Sequence, residues 1–258
     1  MCTVTFIARK RGYALGMNRD EKLTRPKGLP PKLHLLHGVK VLCPSEPGGG
    51  TWIAVNDSGA TFALINWYSV TSRVVGNAVS RGEVVNAVSA AISPKLAEAA
   101  LRESPLERIN PFRLIGVFSA ASEIIEWRWD LKRFVSKHHR WKTQQWISSG
   151  MDEPRAQRTR GRTFQEALGQ RSAGEVAWLR RLHRSHTPQA GPFSTCMHRE
   201  DATTVSYTEI IVLPGFATMS YHAGMPCSSD KFPVKAITAL QTSVCGSQTV
   251  YDGARRVA

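Results

Sequence analysis

Long hydrophobic runs are missing from this sequence. No apolar stretch approaches the about 18 residues that a membrane-spanning helix needs. The beginning of the chain also lacks the order of a secretory signal. Its apolar stretch is broken by Thr3 and Thr5 and is followed, not preceded, by Arg9, Lys10 and Arg11. A cytoplasmic protein is the expectation. Cysteine is scarce and scattered: Cys2, Cys43, Cys196, Cys227 and Cys245 form an odd set with wide spacings and no CxxC. That excludes a disulfide framework. Internal repeats and low-complexity tracts are absent as well, which excludes a solenoid. Acidic residues are few, 20 against 34 Lys and Arg, for a formal net charge of +14.

What is present is a globular balance, 42% hydrophobic and 21% charged, so disorder throughout the chain is excluded. A chain of this length can bury a core as one domain, expected over residues 1–258, with the poorly patterned last dozen residues mobile. The positive excess is uneven. Between Arg128 and Arg199 there are 15 Lys or Arg and 5 Asp or Glu. Such a block attracts anions, among them nucleic acid, acidic headgroups and phosphorylated substrates, and it also fits a plain solvated surface.

Periodicity gives an order of elements. Residues 2–8 (CTVTFIA) read as a strand, 9–12 as a turn and 13–17 as a second strand. Residues 26–50, with five prolines and three consecutive glycines, read mostly as loop around a short strand at 39–42. TWIAV (51–55) and ATFALIN (60–66) flank Asn56-Asp57-Ser58-Gly59 as a hairpin. Residues 83–102 suit amphipathic helix, with Pro94 starting a second one. FRLIGVF (112–118) and EIIEWRW (123–129) make another strand pair, 152–170 and 174–185 suit helices, and 203–213 with 216–222 form a last hairpin. Hairpins imply antiparallel pairing, and two antiparallel sheets between helical layers accommodate the order.

The chemistry concentrates at Cys2. Methionine before a small residue is normally trimmed, which would leave a thiol and an α-amine on one residue. The amine titrates near neutrality, at about 7.7–8.0, and can serve as base to its own thiol. A turn centred on Lys10–Arg11 sets Cys2 opposite Arg19; one centred on Arg11–Gly12 sets it opposite Glu21. Both registers bring Asn18-Arg19-Asp20-Glu21 beside the N-terminus. The arginine can hold a thiolate or a substrate carboxylate and Asp20 can orient the amine. Asn66, ending its strand, can donate to an oxyanion.

These residues carry a resemblance. MCTVTF…GMNRDE, GGTWIAVNDSG…ALIN, Ser80-Arg81-Gly82 and TVSYTEIIV resemble the NRDE family, also called the transport-and-Golgi-organisation-2-like family. That family resembles the cysteine N-terminal-nucleophile hydrolases, including the choloylglycine hydrolase and penicillin V acylase group. The resemblance implies an α+β fold, a four-layer αββα sandwich of two antiparallel sheets, and cleavage of a non-peptide amide through a thioester. It implies Cys2, Arg19, Asp20, Asn66 and Arg199 as catalytic residues, with Asn18, Glu21 and Trp67 beside the substrate. Asp20 matches the acylase pattern directly, and the arginine stands two positions later, at Arg19, on the same face of an extended strand. The second asparagine of the acylases has no counterpart: Trp146-Ile147-Ser148-Ser149-Gly150 occupies that part of the chain.

Other constellations point elsewhere. His183 and His186, with Cys196-x-His198, contain zinc-ligand types, but they sit in a basic stretch with no adjacent carboxylate, and no metal or cofactor is expected. Trp127, Trp129, Trp141 and Trp146 lie among basic residues, yet aromatics of this kind more often pack on sheets, and nucleic acid is not the expected partner. The expected partner is a small-molecule amide or anionic ligand, with homo-oligomerisation left open. The competing class is a non-catalytic lipid- or haem-type ligand binding or trafficking protein on the same fold.

Overall fold

The computed structural model describes residues 2–228 and 236–242. The β-branched and aromatic run at the head of the chain forms β1 (Cys2–Ala8). A tight turn returns it as β2 (Tyr13–Lys22). That turn needs Gly12: its φ is +80°, and an added Cβ would lie 1.9 Å from the carbonyl oxygen of Val212. The remaining strands are β3 (Leu29–Leu36), β4 (Val39–Ser45), β5 (Ile53–Asn56), β6 (Ala60–Asn66), β7 (Phe112–Phe118), β8 (Glu123–Trp129), β9 (Phe134–His139), β10 (Gln144–Ser148), β11 (Ala202–Leu213), β12 (Phe216–Ala223) and β13 (Ala236–Gln241). The helices are α1 (Gly82–Val88), α2 (Pro94–Glu103), α3 (Glu153–Leu168) and α4 (Val176–Arg184). The sequence places two helix starts correctly because both are capped: Ser93 and Asp152 accept from Leu96 N–H and Arg155 N–H, with a proline in each first turn.

Two antiparallel sheets result, one ordered β10-β1-β2-β11-β12-β13 and the other β3-β4-β5-β6-β7-β8-β9. Strand alternation builds the layers. Val4, Phe6, Leu15, Met17 and Ile210 of the first sheet meet Leu42, Val55, Ala63, Ile65 and Ile115 of the second in the central core. The opposite face of the first sheet, through Ile7 and Ala14, packs on Phe164 of α3 and Trp178 and Leu182 of α4. The outer face of the second, through Phe62, Leu114 and Trp127, packs on Val84 and Val88 of α1 and Leu101 of α2. The expected four-layer αββα arrangement is therefore present. β1 is covered on both faces, so it reads as an unbroken buried run.

The structure departs from the sequence reading at the sheet edges. Residues 29–36, read as loop, form β3. Pro30 and Pro31 are tolerated because β3 is an exposed edge strand whose register shifts between Leu29 and Lys32. The stretch 134–148 supplies β9 at an edge of one sheet and β10 at an edge of the other. β2 runs on through Lys22, five residues beyond its expected end, because β1 and β11 pair it on both sides. The expected mobility of the last dozen residues, and Cys245, fall outside the described residues. The four described cysteines are all free thiols. Among the described residues, no helix is long and apolar enough to cross a membrane.

Candidate active site

Cys2 opens β1 with Arg19 as its partner across β2 and Ser148 as its partner across β10. Of the two registers open to the sequence, the Lys10–Arg11 centred one is adopted. The backbone nitrogen of Cys2 donates to Ser148 Oγ at 3.1 Å. Cys2 and Arg19 line a cleft of about 320 Å³ whose lining also includes Asp20, Glu21, Arg25, Glu46, Trp52, Asn66, Arg81 and Asn110. Burial pushes the Cys2 thiol above its ordinary value; the Arg19 guanidinium and the Asp20 backbone N–H pull the other way without cancelling it.

Arg19 is almost fully buried. Its Nη2 bonds Glu46 Oε1 at 2.5 Å and its guanidinium carbon stands 4.4 Å from the centre of the Trp52 ring. Arg25 reaches Glu46 at 3.1 Å and Glu21 at 3.0 Å, and Glu21 lies 3.7 Å from Arg19. Two arginines and two glutamates thus form one closed ring of charge at the cleft.

Asp20 behaves differently from its neighbours. A bulge lets Thr204 pair with Asp20 and Ser206 with Arg19. The fully buried carboxylate accepts from Thr204 Oγ1 at 2.7 Å and from Arg160 Nη1, of α3, at 3.2 Å. Arg160 Nη1 also donates to Thr3 Oγ1 at 2.7 Å. Asp20 is thus an anchor behind Cys2 as well as a cleft residue.

The other expected residues divide. Asn66 lines the cleft, its Nδ2 donating to Tyr68 OH at 2.7 Å. Glu21 lines it as part of the charge ring. Asn18 does not: it is buried towards the helical layer, where its Nδ2 donates to the carbonyls of His183 and Thr195 at 2.9 and 2.8 Å. Trp67 lines a separate hollow with Arg113 and Arg128. Arg199 precedes β11, paired with Asp201 and outside the cleft lining. The cleft cations besides Arg19 are Arg25 and Arg81, the latter bonded to the Pro111 carbonyl at 3.2 Å. Arg81 is brought in by close packing of Gly82 on Gly50, where an added Cβ on Gly82 would lie 2.8 Å from the Gly50 Cα.

Sequence reasoning missed Ser148, Glu46, Arg160, Thr204 and Asn110. Only Ser148 carried a signal, since it stands where the acylase asparagine was sought. His183, weighed as a zinc ligand, is buried with Nε2 3.0 Å from Thr5 Oγ1. Trp127, Trp129 and Trp146 are buried in the cores, and Trp141 packs edge-on to Phe6 at 4.8 Å.

A head strand carrying a cysteine, inside an αββα sandwich, has the architecture of the N-terminal-nucleophile hydrolases. Comparison with solved structures agrees on the fold. The chain is similar to penicillin V acylase from Agrobacterium tumefaciens, with a TM-score of 0.52 and 11% identity over 85% of this chain and 82% of that one. It is also similar to the mutant C2A conjugated bile acid hydrolase from Clostridium perfringens, with a TM-score of 0.51 and 11% identity over 93% of this chain and 92% of that one. The sequence profile of Transport and Golgi organisation 2 matches residues 1–129, and the chain belongs to that family. No curated protein matches it by sequence.

Proposed function

We propose that residues 1–258 act as one cysteine N-terminal-nucleophile amidohydrolase, cleaving a small non-peptide amide through a thioester on Cys2 in the cytoplasm. The observation that supports this most is the Cys2 position: its thiol borders the cleft beside Arg19 while its backbone nitrogen meets Ser148 Oγ at 3.1 Å.

A buried thiol whose titration is pushed upward stays protonated near neutrality, so attack needs a base at hand. Removal of Met1 turns the Cys2 nitrogen into that base, with Ser148 Oγ holding it in place. The amine takes the thiol proton as sulfur attacks the amide carbonyl carbon. The oxyanion is met by the Asn66 amide, with Asn110 as the second: its Oδ1 already accepts from Val74 N–H at 3.0 Å, leaving its NH2 as the donor. The ammonium then protonates the departing amine. Water, deprotonated by the same amine, attacks the thioester, releases the acid and restores the thiol. Arg81, bonded to a backbone carbonyl and outside the closed ring of Arg19 and Arg25, gives the cleft a cation for an anionic group of the substrate. A hollow of about 300 Å³ shares Arg19, Glu21 and Arg25 with the cleft and is walled by Leu23, Pro26, Val205, Ala223 and Met225, suiting an apolar acyl chain.

The second reading, a ligand-binding protein without turnover, is favoured by one observation. Arg19 is already closed into the ring with Glu46, Glu21 and Arg25. A panel of N-acyl amines decides between them. Intact-mass analysis showing Cys2 as the first residue, with hydrolysis that Cys2→Ala abolishes, supports the enzyme. Retained Met1, or hydrolysis unchanged in Cys2→Ala, sinks it.

A further inference from the structure

A group of side chains outside the cleft has the composition of a metal centre. His186 follows α4 by two residues, Cys196 and His198 lie two residues apart in the irregular stretch before β11, and Cys227 lies in a single 3-10 turn after β12. Their donor atoms all lie within 4.8 Å of one another. His198 Nε2 is 3.0 Å from His186 Nε2, 3.8 Å from Cys196 Sγ and 3.4 Å from Cys227 Sγ. Four ligands at zinc–nitrogen and zinc–sulfur bond lengths define a tetrahedron with edges of about 3.3–3.8 Å. The three edges meeting at His198 match it with shifts of a few tenths of an ångström. The donor set is two thiols and two imidazoles, with no carboxylate in the group. That softness and number select zinc over magnesium or calcium, and two thiolates neutralise a divalent ion.

We propose that His186, Cys196, His198 and Cys227 hold a structural zinc ion that fastens the loop of residues 185–198 behind the cleft. Four protein ligands close the coordination sphere, so the site has no position for substrate water. The loop has need of a fastening. The apolar cluster nearest to it contains only two buried residues, Met197 and Ala202. Yet the loop carries contacts that the site depends on. The carbonyls of Pro192 and Thr195 accept from Arg160 and Asn18 at 3.3 and 2.8 Å. Met197 N–H donates at 2.8 Å to Thr204 Oγ1, the hydroxyl that in turn donates to Asp20. A metal at the four ligands ties both ends of the loop, and the turn at Cys227, to the two side chains that back Cys2. The sequence shows three of the four, His186, Cys196 and His198, and read alone sets them aside for want of a neighbouring carboxylate. It groups them with His183, which packs inward on Thr5, while the fourth ligand, Cys227, follows His198 by 29 residues.

The test uses the full-length chain, with zinc and then cobalt as the probes. The protein is reduced, loaded with zinc sulfate, gel-filtered, and assayed for metal and protein. One zinc per chain is expected. Cys196→Ser, Cys227→Ser and His198→Ala are each expected to weaken retention about tenfold or more, while Cys43→Ser retains it. Because a ligand variant can fail to fold, the wild type is also loaded with cobalt. Tetrahedral visible bands together with a thiolate charge-transfer band support the site. No retained zinc, a six-coordinate cobalt spectrum without the thiolate band, or equal loss in Cys43→Ser overturns it. The readouts involve no catalysis, so the zinc site and the amidohydrolase stand or fall separately.

Discussion

Arg160 Nη1 lies 3.2 Å from Asp20 Oδ2, and both side chains are completely buried. A helix of one layer thereby grips the strand that lies beside the cysteine. Removing one partner leaves a buried charge without its counter-charge, which costs about 3–5 kcal/mol. Asp20→Asn and Arg160→Met are each expected to lose about that much in urea unfolding. The double variant is expected to be more stable than the sum of the singles implies, because neither charge is then left alone. Additive losses would show that the pair is not coupled.

The Cys2 thiol sits under opposed influences, and the signs of the Asp20 and Arg19 charges make a second prediction. Burial raises it, the Asp20 charge raises it, and the Arg19 charge lowers it. Alkylation follows thiolate, so the wild type is expected to react slowly at pH 7 and faster as pH rises. Arg19→Met moves the midpoint of the pH–rate profile up, and Asp20→Asn moves it down. Cys43, whose thiol burial pushes up to about 11, serves as the internal comparison on the same chain. A midpoint unmoved by Arg19→Met would mean that the guanidinium does not reach the thiol.

The hairpin that carries this chemistry was legible because both of its determinants are local. The run CTVTFIA, a glycine-containing turn and a return strand fix which residues face each other, leaving only one step of register undecided. Capped helices and hairpins with turn residues were legible for the same reason. β3 and β9 were not, since they are exposed edge strands carrying prolines, lysines and histidines that blur alternation, and β10 was not, since QQWIS is only five residues long and has no β-branched alternation. Losing β10 meant losing Ser148, which reaches Cys2 across 146 residues. Asn18 was assigned to the cleft from its place in a polar tetrad, yet the pleat turns it to the helical side, where it holds His183 and Thr195 carbonyls. Arg160 lay hidden in a basic stretch that reads as solvated surface; only tertiary pairing with Asp20 sets it apart.

His183 gives a pH dependence that does not involve the cleft. Burial, and then the nearby Arg160 charge, lower it from 6.5 to about 3, so it stays neutral in the folded protein. The Tyr207 ring packs against it, tilted, at 5.1 Å, and Thr5 Oγ1 meets its Nε2. The unfolded chain takes up a proton below about pH 6.5 while the folded one does not, so stability falls as pH drops from there towards 3. Between pH 7 and pH 5 this histidine accounts for a loss of about 2 kcal/mol. His183→Gln is expected to shrink the difference between the two pH values in denaturant unfolding by that amount. An unchanged difference would place the sensitivity between pH 7 and pH 5 in other groups; Glu126, whose carboxyl His139, Arg128 and Arg113 hold far below the usual range, costs stability only at lower pH, as it drops below about 4.5.

Ser148 separates amine positioning from ligand binding. Its hydroxyl meets the Cys2 nitrogen at 3.1 Å and does not line the cleft. In the trimmed chain, loss of that hydrogen bond frees the base to rotate away from the thiol without touching the substrate. A bond of about 1.4 kcal/mol made chiefly in the transition state corresponds to about tenfold in rate. Ser148→Ala is therefore expected to lower kcat about tenfold at unchanged KM, with a shifted acidic limb in the pH profile because the amine loses an acceptor for its charged form. Ser148→Thr keeps the hydroxyl and is expected to restore much of the rate. Equal losses in both variants would point to packing at the β1–β10 edge. A rise in KM alone would move Ser148 from the base to the substrate.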